Sequence, residues 1–311
     1  MKKISILVPC YNEGQVLPLF LSAVFPVLKG LDYPWEVLLI DDGSTDNTLS
    51  IMQQAHTQDE RVQFLELSRN FGKESALLAG LDYVRGDAVI IMDADLQHPV
   101  SVIPEMIKQW EAGFDDVYAR RKTRGKENFI RHILTKIYYR LLQASSETNV
   151  YPNVGDFRLL DKSCINALRA MRETDRYTKG MYAYIGFRKT YVDFEQQERA
   201  AGNSKWGFWK LLRLAVNGLL SSSIKPLQMS TKIGIFVSFI AFLYLLYIFI
   251  KSLIYGDPVR GFPTLIIVIL FLGGLQLLSV GILGEYIGRI FHESKQRPSY
   301  FIRTHNGKKI D

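Results

Sequence analysis

Asp93 and Asp95 close an apolar run, Val89-Ile90-Ile91-Met92, in the stretch VIIMDADLQHP. Four apolar residues in a row read as a buried strand, and an unpaired carboxylate is costly to bury. The two acids therefore belong where the strand emerges, with a positive charge beside them. Side chains two apart on an extended segment point the same way, which puts Asp93 and Asp95 on one face, joined by Gln97 if the extension continues. Hard oxygen ligands on one face suit Mg2+ or Mn2+, with the other positions left to water and a substrate phosphate. Asp-x-Asp alone is a weak signal; a strand end beside other polar loops gives it weight.

Three further polar clusters follow apolar runs: Pro9-Cys10-Tyr11-Asn12-Glu13, Asp41-Asp42-Gly43-Ser44 and Ser68-Arg69-Asn70-Phe71-Gly72-Lys73. A divalent ion bridging a diphosphate would stabilise the charge that develops on a departing nucleoside diphosphate, and Arg69 and Lys73 can serve the same charge. Asp41 can accept a hydrogen bond from a base edge, while Pro9, Tyr11 and Glu13 can wall the base and ribose. Asp42 joins this nucleotide set, unless it caps a helix as Ser44 or Asp46 also can. None of these loops carries G-x-x-x-x-G-K-[ST] or G-x-G-x-x-G, so neither an ATP-cradling loop nor a dinucleotide fingerprint is supported.

Such loops need a scaffold that gathers strand ends. Ile4 to Val8, Val37 to Ile40, Val62 to Leu67 and Ala88 to Met92 read as strands. Gln15 to Leu28, Asp46 to His56 and Lys73 to Val84 read as helices, the first shortened or kinked by Pro18 and Pro26. Alternating strand and helix predicts crossover connections and a mostly parallel sheet covered on both faces. In such sheets ligands bind beyond the carboxyl ends of the strands, where all four clusters fall.

The chain has 311 residues, 48% of them hydrophobic, and a net charge of +7. The apolar residues concentrate late. Ile233 to Ile250 is free of charges, and Phe262 to Gly284 is a longer run of the same kind; as helices both can cross a hydrocarbon core of about 30 Å, the first with help from its flanks. Two buried core helices are the alternative. No leader is expected, because the apolar part of MKKISILVPC is short and runs into polar YNEG. Lys225 and Lys232 flank the first span and Arg289, Lys295, Arg297, Arg303, Lys308 and Lys309 follow the second, which predicts both ends inside and the short loop outside. An anionic membrane face accounts for part of the positive charge. Nucleic acid is not expected as a partner, since neither zinc-finger spacing nor a basic and aromatic RNA-binding pattern is present. Phe129 to Leu142 and Trp206 to Leu220 are amphipathic, fitting helices in the membrane interface or packed on a domain core. Cys10 and Cys164 read as free thiols in a reducing compartment.

The set PCYNE, IDDGSTD, SRNFGKE, MDADLQHP, NVGDFRLLD and RAAGNSKW, followed by a hairpin ending LGEYIGR and a tail with KQRPSYFI, resembles the polyprenyl-phosphate glycosyltransferases of glycosyltransferase family 2. Within these it is most similar to the bactoprenol glucosyltransferase group, related to the dolichol-phosphate mannose synthases. The resemblance implies a type-A, Rossmann-like α/β domain with a mostly parallel sheet, interfacial helices and a C-terminal two-helix transmembrane hairpin. It implies inverting, metal-dependent transfer of one sugar from a nucleotide sugar to undecaprenyl phosphate at the bacterial inner membrane. By it, Asp93, Asp95 and Gln97 hold the metal and diphosphate, and Pro9, Tyr11, Glu13 and Asp41 contact the nucleotide. The resemblance also implies Asp95 and Asp156, the latter in GDFR, as the catalytic carboxylates. The organisation expected is a cytoplasmic catalytic domain over 1–205, a juxtamembrane segment over 206–229, two spans within 230–288 (at about 232–254 and 262–284) and a cytoplasmic basic tail over 289–311.

A lipid phosphate has a second pKa of about 6 and is mostly a dianion at neutral pH, so it hardly needs a general base. Asp156 is therefore expected to orient acceptor, sugar or metal rather than to abstract a proton. Cations must hold the lipid phosphate, and Arg120, Arg131, Arg158, Arg199 and Lys205 are the candidates. Similarity through NVGDFR and the VRGFP loop favours UDP-glucose as donor; UDP-N-acetylglucosamine is the alternative, since no residue is tied to the sugar 2-position. The product would serve O-antigen, teichoic acid or another wall polymer through a downstream flippase and a second glycosyltransferase, and a homo-oligomer is compatible with the family. A processive synthase would carry Q-x-x-R-W, but Ala200 follows Arg199 here. A nucleotidyltransferase lacks support from any phosphate-loop glycine pattern, and a non-catalytic scaffold sits poorly with intact Asp93, Asp95 and Asp156.

Overall fold

The computed structural model describes residues 2–122, 154–174, 176–195, 225–255 and 261–309. Strands β1 (Ile4–Cys10), β2 (Trp35–Asp41), β3 (Val62–Leu67) and β4 (Ala88–Ile91) alternate with helices α1 (Leu17–Lys29), α2 (Thr48–Gln58) and α3 (Lys73–Tyr83). Pro18 lies in the first turn of α1, where its missing amide costs nothing, and Pro26 lies inside the helix. β1 pairs in parallel with β2 and β4, and β2 with β3. These strands are buried along nearly their whole length because both faces are covered. Ile4, Ile6 and Val8 pack with α1 and α4 (Ile103–Glu111), whereas Leu7, Leu38 and Ile40 pack with α3 and α5 (Lys162–Ala170).

Antiparallel strands complete the sheet. β6 (Val154–Asp161) runs against both β4 and β5 (Asp116–Arg121), and β7 (Lys189–Phe194) pairs in parallel with β5. On the far side β8 (Ile302–His305) lies antiparallel on β3, and β9 (Lys308–Lys309) pairs with β8. The order is β7-β5-β6-β4-β1-β2-β3-β8-β9. The basic tail thus supplies two strands of the catalytic sheet. Its hold is specific: the Asn306 side chain accepts from the Phe64 amide at 2.9 Å, and Tyr300 donates to Asp82 at 2.6 Å. A short helix, α6 (Thr178–Tyr184), precedes β7.

Two long helices, α7 (Lys225–Tyr255) and α8 (Phe262–Ser294), contact each other and form the expected hairpin. Phe271–Ser294 is apolar over a length sufficient to cross a membrane, and none of it is buried inside the protein. Leu265, Ile269, Phe271, Leu277 and Val280 are exposed, which a soluble core helix would not show.

Candidate active site

The loops after β1 to β4 are tied to one another. The amides of Asn12 and Glu13 donate to Ser44 Oγ and Thr48 Oγ1, each at 2.9 Å, and that of Gly14 to Asp46 Oδ2 at 3.0 Å. The Thr45 amide donates back to Asn12 Oδ1 at 2.8 Å, so the first two loops form one unit. Asp42 fastens the second loop to the third: its oxygens accept from the amides of Phe71 at 2.7 Å and Gly72 at 2.9 Å. Gly43 sits where these loops cross, with φ of +69°, and a Cβ there would lie 2.5 Å from the Arg69 carbonyl carbon. Only glycine allows that approach.

Lys73, the first residue of α3, joins the third loop to the fourth. Its Nζ is 2.6 Å from Asp93 Oδ1 and 2.9 Å from Asp156 Oδ2. Asp156 reaches this edge because β6 is antiparallel to β4, so the beginning of β6, not its end, meets the carboxyl ends of the others. Burial opposes the ionised form of Asp156, but the Lys73 ammonium, helped by the charge of Lys179, overrides that and holds the carboxyl at about 2. Desolvation likewise works against charged Lys73, and Asp93 and Asp156 raise it regardless. Asp156 Oδ1 is buried without a hydrogen-bond partner among the described residues, an unmet acceptor inside the site.

The Asp-x-Asp segment is not extended as the sequence led us to expect. β4 ends at Ile91, a turn takes in Ala94 and Asp95, Leu96 has φ of 58°, and the Gln97 amide donates to Asp95 Oδ1 at 3.2 Å. A turn, not the strand pleat, sets the positions of Asp93, Asp95 and Gln97. His98 anchors that turn: it is buried, stacks on Phe157 at 4.9 Å and meets the edge of Phe194 at 5.8 Å. Burial pushes its imidazole down, against the pull of Asp93 and Asp95. Among the described residues no group of three or more His, Cys, Asp and Glu side chains gathers to hold a metal. Asp93 and Asp95 are the two carboxylates that this segment carries.

Most other expected residues line the same edge. Tyr11 is 44% exposed on the first loop beside Pro9 and Glu13. Asp41 is buried at the end of β2, accepts from the Ser44 amide at 3.2 Å, and has its carboxyl pushed up by burial. Arg69 is exposed, with its guanidinium 4.1 Å from the Phe71 ring centroid. Arg120 pairs in register with Val154 at the mouth of β6, where Asp193 binds it at 2.7 and 3.0 Å and Tyr191 lies under it.

Two expectations are corrected. Asp42 is committed to two backbone amides and holds loops together rather than meeting a nucleotide sugar. Arg158 does not face an acceptor phosphate: its side chain is 4% exposed, paired with Asp116 at 3.0 Å and stacked 3.5 Å from the Tyr182 ring centroid. Arg131, Arg199, Lys205 and both amphipathic stretches lie outside the described residues. Sequence reasoning missed the Lys73 to Asp156 pair, the role of His98 and the position of Lys179 near Asp156. It also missed the Thr178 hydroxyl, which donates to Glu74 and ties α6 to the start of α3. Nothing local in TKGMYAY signals that contact.

Residues 5–169 match glycosyl transferase family 2, and residues 225–290 match the GtrB C-terminal hairpin. The chain belongs to glycosyl transferase family 2. This glycosyltransferase is 43% identical over 306 residues to a bactoprenol glucosyl transferase of Shigella phage SfV, covering 98% of this chain and 100% of that one. It is also 43% identical over 303 residues to the putative glycosyltransferase CsbB of Bacillus subtilis, covering 97% and 92% respectively. Among solved structures, the mannosyltransferase PcManGT from Pyrobaculum calidifontis, in complex with GDP-Man and Mn2+, has a TM-score of 0.50 at 20% identity. That match covers 72% of this chain and 64% of the other and is a likeness of fold.

Proposed function

We propose that this glycosyltransferase moves one glucose from UDP-glucose to undecaprenyl phosphate, with inversion, at the cytoplasmic face of the bacterial inner membrane. The observation that carries the reading is the convergence of Lys73, Asp93 and Asp156 where four polar loops meet, with Arg120 at the same edge. The acceptor class is drawn from a relative named for it, 43% identical over nearly the whole chain.

Asp93 and Asp95 fit Mg2+ or Mn2+, since such ions are commonly held by one or two carboxylates plus substrate phosphates, and Gln97 is the further ligand of this reading. When bound, the ion neutralises charge on the departing diphosphate. The chain's own residues do the rest. Pro9, Tyr11, Glu13 and Asp41 hold the nucleotide, and Arg69 adds charge for the diphosphate. Lys73 keeps Asp156 ionised, and Asp156 orients the incoming groups. The acceptor phosphate, with a second pKa of about 6, attacks as a dianion, so no residue needs to remove a proton. Arg120 meets that phosphate together with Arg131, Arg199 and Lys205.

In the same reading α7 and α8 span the bilayer with both ends inside and the short loop outside. The product is a lipid-linked sugar for a second transferase, once a flippase has carried it across. The test is full-length protein in detergent with undecaprenyl phosphate, Mg2+ or Mn2+ and a panel of UDP-sugars, following the extracted lipid by mass spectrometry. A single-sugar phospholipid from UDP-glucose, absent with chelator and in Asp95→Asn, is the expected result. Product from another UDP-sugar alone would replace the donor, and no lipid product at all would overturn the reading.

A further inference from the structure

Lys73 is an odd choice for its position on structural grounds. It opens α3, and a cation in the first turn of a helix stands against the positive end of the macrodipole. Its side chain is 42% exposed, yet its Nζ makes two charged contacts, with Asp93 at 2.6 Å and Asp156 at 2.9 Å. Its backbone is well held: Asp42 accepts from the two preceding amides, and Glu74 accepts from Thr178. The base of the side chain is therefore anchored, while its four-carbon stem leaves the ammonium free to change partners.

This arrangement has a direct consequence for any cation that uses Asp93. A divalent ion taking an oxygen of that carboxylate must come within a few ångströms of an ammonium already in contact with it, and like charges at that range repel strongly. A diphosphate changes the balance, because its oxygens can accept the ammonium and neutralise the ion together. Asp156 remains available to Lys73 throughout.

We propose that Lys73 is a resident counter-ion of the metal site, which makes bare divalent ions bind weakly and lets them bind tightly only with a nucleoside diphosphate. The inference rests on the metal-dependent reading above and adds an order of binding to it. Lys73 guards Asp93 against adventitious ions and, once released, turns to the diphosphate while keeping its contact with Asp156.

The test is titration of the full-length protein in detergent with Mn2+, reading free ion by electron paramagnetic resonance, with and without UDP. Lys73→Gln and Lys73→Met remove the charge, and Lys73→Arg keeps it. With no nucleotide present, both neutral variants should bind Mn2+ about tenfold or more tightly than the unsubstituted protein, as removing an adjacent like charge requires. Lys73→Arg should stay weak. UDP should tighten Mn2+ binding strongly in the unsubstituted protein and far less in the neutral variants. Adding Asp93→Asn to Lys73→Gln should abolish the gain, tying it to this site. Unchanged or weakened Mn2+ binding in neutral variants that still bind UDP would overturn the proposal, as would absence of Mn2+ binding in every protein. Because the readout is metal affinity, failure of the lipid assay would leave these results standing, and the two readings fail separately.

Discussion

Asp156 and Arg158 stand two residues apart on β6, yet each belongs to an ion pair of opposite character. Arg158 and Asp116 are 4% and 1% exposed, and the guanidinium is sandwiched between that carboxylate and the Tyr182 ring. Burial pushes the Asp116 carboxyl up, with Arg158 countering it. Lys73 and Asp156 sit at the sheet's mouth, 42% and 14% exposed, and there the cation prevails and holds the carboxyl at about 2. A planar guanidinium wedged beside a ring has one geometry, whereas an ammonium on a flexible stem has several. The same two charges thus serve packing in one place and exchange in the other, and depth and cation type separate them.

The sharpest way to break the comparison is to neutralise Asp156. Asp156→Asn should lower the initial rate of sugar transfer by about 100-fold to 1000-fold, the scale seen when a preorganised polar group is lost from an active site. Its Tm in detergent should barely move. A Tm that falls along with the rate would make the pair at the mouth structural and erase the distinction.

The converse substitution probes the interior. Arg158→Met strands a buried carboxylate and should cost about 3–5 kcal/mol of stability, read as a large drop in Tm. Adding Asp116→Leu should restore much of it, because an apolar pair carries no desolvation penalty.

The third test compares pH profiles. Asp156 is depressed from its ordinary value of 3.8 to about 2, so its pair with Lys73 stabilises fully above 3.8 and is lost as pH falls toward 2. The Tm deficit of Lys73→Met should therefore be constant at neutral pH and shrink only below about pH 4. Because the pair is partly exposed, that deficit should correspond to about 1 kcal/mol or less. A deficit that vanished near neutrality would mean that Asp156 is not held down by Lys73.

The smallest effect calibrates the others. Arg172 pairs with Asp82 at 2.7 Å but is 55% exposed. Arg172→Ala should cost about 0.5 kcal/mol, within the range of surface pairs, and leave transfer unchanged.

Much of the fold was legible in the sequence. Val62 to Leu67 reads as a strand and is one with those bounds, and the first four strands and three helices all occur where apolar periodicity places them. The hairpin followed from two long apolar runs. The tail's strand was not legible, because IRTH is short and polar and pairs only because β3 offers an open edge. Within the site, Asp93, Asp95 and Lys73 were recognised as polar residues after strands. Reading Asp-x-Asp as extended failed because the chain turns at Ala94 and Asp95 and Leu96 adopts a left-handed conformation, which no apolar pattern announces. Reading Arg158 as a phosphate ligand failed because Asp116, two residues before its register partner Tyr118 on β5, pairs with it, a contact set by strand order.

By itself the sequence determined the alternation of strands and helices, the apolar hairpin, and the arrival of polar clusters at the ends of buried strands. These depend on burial and periodicity, which contiguous residues encode. Only the tertiary structure decided which charge meets which: Lys73 with Asp93 and Asp156, Arg158 with Asp116, Asp42 with the loop across from it. The reason is that a charged group takes its role from the partner and the depth of water around it. Both are set by residues far away along the chain.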